Sequence, residues 1–223
     1  MDRAGSQPVK SVSMETVGLP AGIRELPIVG GHLALDFANT VDDPLGPRRY
    51  DHLAVYPELL TWSVRVESIP PAAADALART ARDRPRAADA AVRRAAALRD
   101  ALNATFGALA DTADPGPAWP ELRPFVTAAH RHAGLSPGPA LSWRFTDLES
   151  PLWPVAAAAF DLLTSPDVAR LKRCAGCPWL FLDRSKNASR RWCSMQDCGT
   201  HEKIQRYVSK RADLRTGRRI AGT

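Results

Sequence analysis

Cysteine is absent from the first 173 residues, and the 223-residue chain carries only four. So few cannot build a disulfide-dense secreted scaffold. Long apolar runs are missing too: stretches such as Val155 to Phe160 stop far short of the ~20 residues of a membrane-spanning helix. The opening 25 residues hold no apolar run of the length found in a secretory leader. A cytoplasmic protein without membrane contact is therefore expected. The sequence contains no H-E-x-x-H, no G-x-x-x-x-G-K-[ST] and no G-x-G-x-x-G. The metal faces and phosphate cradles built by those strings are absent, and the chain does not read as an enzyme.

What is present is unevenly placed. Residues 170–223 contain 14 Lys/Arg against 4 Asp/Glu, whereas residues 1–169 contain 16 against 20. The net charge of +6 is thus a +10 tail on a −4 remainder. All four cysteines, Cys174, Cys177, Cys193 and Cys198, lie in that tail. The coincidence predicts a polar, mobile segment over 1–22, a mostly helical domain over 23–169, and a small separate module over 170–223.

Periodicity fills in the larger domain. Glu25 to Val29 reads as extended, and His32 to Val41 fits both alternation and a helical face of Leu33, Phe37, Thr40 and Val41; a helix is preferred. Helices are predicted from Pro57, over Ala72 to Arg82, and from Arg86 to about Ala110 with a stripe of Val92, Ala95, Leu98 or Arg99, Leu102, Phe106 and Leu109. Another carries Leu122, Phe125, Val126, Ala129 and Ala133, and a further one runs from Leu152 to Leu163. Leu141, Trp143 and Phe145 alternate with polar residues as a strand does. The fold class is α+β: a mostly helical N-terminal domain with a little sheet, followed by a small treble-clef-like zinc module.

The cysteines are spaced C-x2-C, fifteen residues, then C-x4-C. Two thiolate pairs separated by such an insert suit one tetrahedral zinc ion, with Zn–S near ~2.3 Å. A redox C-x-x-C would sit on a βαβ pattern and would not need the second pair. With four thiolates the shell has no open position for water, so the zinc is structural. Between the ligands, Trp179 to Leu182 reads as a strand, Asp183 to Asn187 as a turn, and Arg190-Arg191-Trp192 as the returning arm of a zinc-bound hairpin. Ser194 with Asp197 resembles a capping box, starting a helix near Met195 that continues to about Ala212. Metal binding is expected to supply most of the module's folding free energy, of order ~10 kcal/mol or more.

On that helix Lys203, Arg206 and Lys210 share one face, while His201, Ile204 and Val208 lie on a neighbouring, packing face. Arg184, Lys186, Arg190 and Arg191 add charge from the hairpin, and Arg215, Arg218 and Arg219 from the tail. So compact a basic unit attracts phosphate backbones, and these helix and hairpin cations are the candidate DNA contacts. In the larger domain His32, Asp36 and Asn39 are the candidate contacts for a small-molecule effector; the alternative is that they cap and turn the backbone.

The residues Cys174-x2-Cys177, Phe181, Asp183, Ser185, Arg190-Arg191-Trp192-Cys193-Ser194-Met195 and Cys198-Gly199 resemble the CGNR zinc finger, a bacterial family. Leu33 to Thr40, with Leu59-Leu60-x-Trp62 downstream, resembles the opening of the ABATE domain that precedes this finger. The resemblance implies a stress-induced transcription regulator, with the finger binding DNA and the ABATE domain sensing a signal. One departure stands at the family's namesake motif, where Thr200-His201 replaces Asn-Arg. Duplex DNA is the expected partner, read by a homodimer because one finger offers few base contacts. An RNA-, ribosome- or polymerase-associated zinc protein is the alternative.

Overall fold

The computed structural model describes residues 22–44, 46–47, 49–136, 141–205 and 207–209. Its helices are α1 (Leu33–Ala38), α2 (Tyr56–Arg65), α3 (Pro71–Asp83), α4 (Pro85–Ala110), α5 (Trp119–Arg131) and α6 (Leu152–Thr164). A further helical stretch covers 200–205 and 207–209. Three antiparallel two-stranded ladders join β1 (Val41–Asp42) to β2 (Tyr50–Asp51), β3 (Gly134–Leu135) to β4 (Leu141–Ser142), and β5 (Leu171–Arg173) to β6 (Leu180–Leu182). The architecture is mostly helical with small two-stranded sheets.

Helix α4 is the spine. It opens with Pro85 in its first turn, where a missing N–H costs nothing, and it is rich in alanine, the best helix former. Its buried face of Ala91, Ala95, Leu98, Leu102 and Phe106 packs against all the other labelled helices and β5. Arg99 lies on that buried face as well, 0% exposed, and its Nη1 and Nη2 donate to the two carboxylate oxygens of Asp51 at 2.6 and 2.5 Å. Burial alone would raise the Asp51 pKa; the Arg99 guanidinium reverses that and holds it below the usual carboxylate range. A buried arginine is tolerated here because its charge is paired.

Several elements differ from the sequence pattern. The first helix ends at Ala38, and Val41 belongs to β1 instead of its face. Ala133 falls beyond the end of α5. Residues 26–29 form no ladder. Of the alternating segment only Leu141–Ser142 pairs, since β3 is just two residues long. Trp143 instead donates its Nε1–H to Ala129 O at 2.9 Å and rests half-buried on the core with Phe145.

The largest correction concerns the zinc hairpin. Strand β6 pairs with β5, which precedes the first cysteine pair, in the register Leu171↔Leu182, Lys172↔Phe181 and Arg173↔Leu180. The Arg190-Arg191-Trp192 arm forms no strand. Leu171, Leu180 and Leu182 belong to the main hydrophobic core, so this hairpin is rooted among the N-terminal helices. Met195–Gly199 form a π-helical turn. Ile204 and Val208 are 57% and 58% exposed, and the packing face expected of them does not form.

Candidate metal centre and its surroundings

Cys174 and Cys177 sit on the β5–β6 connection; Cys193 precedes the π-helical turn and Cys198 lies within it. That turn begins where the spacing places it, because Ser194 Oγ accepts from Asp197 N–H at 3.2 Å. All four Sγ atoms lie within 4.8 Å of one another, with Cys177–Cys193 at 3.5 Å and Cys193–Cys198 at 3.7 Å. Four sulfurs about 2.3 Å from one tetrahedral zinc would stand about 3.8 Å apart. No disulfide joins them. Cys174 Sγ also accepts backbone N–H groups from Cys193 at 3.2 Å and Gly176 at 3.4 Å, bonds that favour a thiolate. Gly176 lets the two cysteine segments approach closely, since a Cβ there would stand in tight contact, 3.1 Å from Cys198 Cβ. The donor set fits one zinc ion, and four thiolates would give it a cross-linking role.

Around the thiolates, Phe181 is fully buried, with Trp179 and Trp192 packed against this small cluster. Asp183, which follows β6, is the polar hub of the loop. Its carboxylate is buried and accepts from Lys172 Nζ at 2.7 Å, Ser185 Oγ at 2.6 Å, Ser185 N at 3.0 Å and Arg190 N at 2.8 Å. Burial works to raise its pKa, but these donors, the Lys172 ammonium first among them, hold it well below the usual range. No spacing rule flags Asp183 as a hub; its turn chemistry and its place in the CGNR-like pattern are the only signals.

The candidate DNA-contacting cations differ in what they do. Arg190 is spent internally: Nε donates to Trp192 O at 2.8 Å, Nη2 to Cys193 O, and the guanidinium lies over the Phe181 ring. Arg184, Lys186, Arg191 and Lys203 are exposed. Arg206 and Lys210 lie outside the described residues, as do Arg215, Arg218, Arg219 and the helix end near Ala212. At the departure from the family motif, Thr200 Oγ1 donates to Met195 O at 3.0 Å and the His201 ring meets Gln205 Nε2 at 2.9 Å.

In the helical domain, α1 meets the hairpin directly. Asn39, 2% exposed, donates Nδ2–H to Leu180 O at 2.8 Å and accepts Leu180 N–H on Oδ1 at 2.9 Å, standing in for a neighbouring strand. Trp179 Nε1 donates to Val41 O at 3.2 Å, and Leu182 N to Gly30 O at 2.9 Å. Gly31, at φ +72°, makes the turn that leads into α1. His32 caps α1, its Nδ1 accepting from Ala34 N–H at 3.4 Å. Asp36 accepts from Gly30 N–H at 2.7 Å. A cavity of about 440 Å³ is lined by Ile28, Gly31, His32, Leu33, Asp36, Arg65 and Val66. It brings His32 and Asp36 together, whereas Asn39 is committed to the hairpin.

Burial pushes the Asp36 pKa up to about 6, against the backbone N–H groups of Gly30, Val29 and His32 that pull it down. The folded state thus holds this proton more tightly than the unfolded chain does. Its stabilising effect is complete below pH 3.8 and is lost as pH rises through about 6. Asp36→Asn keeps an oxygen for Gly30 N–H and removes the titration. It should flatten the fall in stability between pH 4 and 7 and raise stability at pH 7.5 by on the order of 2–3 kcal/mol. Urea unfolding across that range checks this, and an unchanged pH profile would refute it.

One G-x-S-x-G string, the pattern of a serine nucleophile elbow, runs from Gly134 to Gly138. Gly134–Leu135 is strand β3, and the next labelled element is its antiparallel partner β4, not the helix such an elbow requires. Among the described residues no helix is long and apolar enough to cross a membrane.

A four-cysteine centre on a hairpin rooted in a helical domain defines the class: a zinc-finger protein whose finger is built onto its partner domain. Residues 170–211 match the CGNR zinc finger, and residues 31–166 match the ABATE family, described as "Putative stress-induced transcription regulator". The ABATE match spans more than half of the chain, which belongs to that family. Both descriptions are of regulatory or zinc-finger type and neither is enzymatic. No curated protein matches the chain.

Proposed function

We propose that the protein is a transcription regulator that binds duplex DNA through its zinc-stabilised C-terminal module, residues 170–223, in response to a small molecule sensed by residues 23–169. The observation that carries this reading is the placement of Arg184, Lys186, Arg191 and Lys203, all exposed, on the module that holds the four cysteines, in a chain of a family described as transcription regulators. Cys174, Cys177, Cys193 and Cys198 hold the zinc. Arg206 and Lys210, outside the described residues, are further DNA contacts in this reading. Arg190 serves by fixing the loop that carries its neighbours. The cavity beside His32 and Asp36 takes the effector, and Asn39 passes its occupancy to β6. A homodimer brings two such modules to two half-sites.

Binding by exposed cations carries a salt signature. The zinc-loaded protein should bind genomic duplex fragments with a log–log salt slope of about −0.9 per phosphate contacted, roughly −4 for four cations. Arg191→Ala and Lys203→Ala should each reduce the slope by about 1. Fluorescence anisotropy between 50 and 300 mM salt measures both. Binding that prefers RNA to duplex DNA would favour an RNA-associated role, and no salt-dependent binding to either would overturn the reading.

A further inference from the structure

A second cleft, of about 350 Å³, opens where the loop after β6 meets the turn after α6, lined by Asp167, Arg170, Leu182, Arg184, Ser185 and Lys186. Three cations face one carboxylate, and among the described residues none of Arg170, Arg184, Lys186 or Asp167 is in an ion pair. Such an excess of positive charge in a concave site favours an anion.

The cleft is also pre-shaped. Arg170 Nη1 donates to the carbonyls of Ser185 at 2.9 Å and Asp183 at 3.3 Å, which fixes the plane of its guanidinium. Its Nε and Nη2 make no hydrogen bond to described residues, so a forked donor edge stays available. The opposite wall is held by the buried Asp183 carboxylate, which takes both the amide and the hydroxyl of Ser185. Ser185 Oγ in turn accepts Ser189 N–H at 3.1 Å. The loop bearing Arg184 and Lys186 is therefore set before any ligand arrives, which lowers the entropy cost of binding. A planar guanidinium edge beside an arginine and a lysine matches the oxygens of a phosphate group.

We propose that this cleft is a phosphate-binding site at the seam between the helical domain and the finger, with Arg170, Arg184 and Lys186 as its cationic wall. The phosphate belongs either to a nucleic-acid backbone or to a free phosphorylated small molecule. The first source rests on the DNA-binding reading; the site itself does not. The position gives such a phosphate a role, because Leu182 in the wall is hydrogen-bonded through its N–H to Gly30 of the helical domain. A phosphate seated there engages both parts of the chain at once.

The test uses the full zinc-loaded protein and the double variant Arg184→Gln with Lys186→Gln. Neither side chain makes a hydrogen bond to a described residue, so the fold is spared. Arg123→Gln, an exposed cation of α5 outside both the cleft and the proposed DNA contacts, is the control. Inorganic phosphate is titrated at constant ionic strength while the Ser185 and Lys186 amide resonances are followed. Saturable shifts in the wild type and the control, with at least ten-fold weaker binding in the double variant, are expected. Non-saturable shifts, or equal affinity in the double variant, overturn the proposal whatever the DNA result.

A duplex DNA arm then assigns the source. A salt slope shallower by about 2 in the double variant supports a backbone phosphate. An unchanged slope together with lost phosphate binding supports a free phosphate ester. Saturable phosphate binding by a wild type that ignores DNA would sink the DNA reading and leave the cleft standing.

Discussion

Removing zinc with a chelator is expected to unfold only the distal half of the finger, leaving the β5–β6 hairpin folded. The small module alone suggests complete unfolding, because a unit with so little core depends on its metal. The packing argues otherwise. Leu171, Leu180 and Leu182 are buried in the main core, and Arg173 is tied to Asp111 at the end of α4 through Nη2 at 2.7 Å. Asp183 N–H donates to Arg170 O at 2.8 Å, and the Asp183 carboxylate reaches as far as Arg190 N–H. None of these bonds involves sulfur.

Beyond Arg190 the supports thin out. Apart from Arg190's own bonds, what recurs is the Cys193 N–H to Cys174 Sγ bond, the Ala175 N–H to Arg191 O bond and the thiolate cluster itself. Without metal, four clustered thiols no longer draw the second pair to the first. Hydrogen exchange should therefore show the amides of Leu180, Leu182 and Arg190 protected with or without zinc. Those of Cys193 and Gly199 should lose protection by at least 100-fold on chelation. Equal protection at Cys193 in both states would mean that the cluster holds no zinc, and loss of protection through α1 and β6 would mean that the metal supports the whole core.

The features that reading the chain captured are those whose causes are local. Cysteine spacing is a short-range signal, and it places four sulfurs within one small sphere. Pro57 and Ser194 mark helix starts because a missing N–H and a capping hydroxyl act within one turn. What escaped depends on partners far along the chain. Periodicity offers Arg99 as an alternative to Leu98 on the buried stripe, but nothing local says that Asp51, 48 residues away, takes its fork. Sequence pattern pairs β6 with the Arg190-Arg191-Trp192 arm and the structure pairs it with β5, because alternation says that a segment pairs but not with which strand. Arg190 counts as a surface cation in any charge tally, yet the Phe181 ring and two carbonyls absorb it. Asn39 groups with His32 and Asp36 by its place in the sequence, yet its amide is committed to a backbone 141 residues away.

That last contact sets the second large effect. Asn39→Ala should destabilise the protein by about 2–5 kcal/mol, because it strands two backbone groups of Leu180, each costing about 1–3 kcal/mol when buried unpaired. Leu180 is 0% exposed, and no water can replace the lost amide without opening the core. At roughly 2–4 °C per kcal/mol for a chain of this size, the melting midpoint should fall by about 4–20 °C. Asn39→Asp offers a control of different chemistry. It keeps an acceptor for Leu180 N–H but loses the donor to Leu180 O and adds a buried charge, so its deficit should grow as pH rises above the carboxyl's pKa. Leu180 also lies three residues beyond Cys177, so slackening β6 should speed zinc transfer to a chelator in Asn39→Ala. A residue serving only as an effector contact would leave both the melting midpoint and the zinc release rate unchanged, and that pair of results would remove Asn39 from the path between the helical domain and the finger.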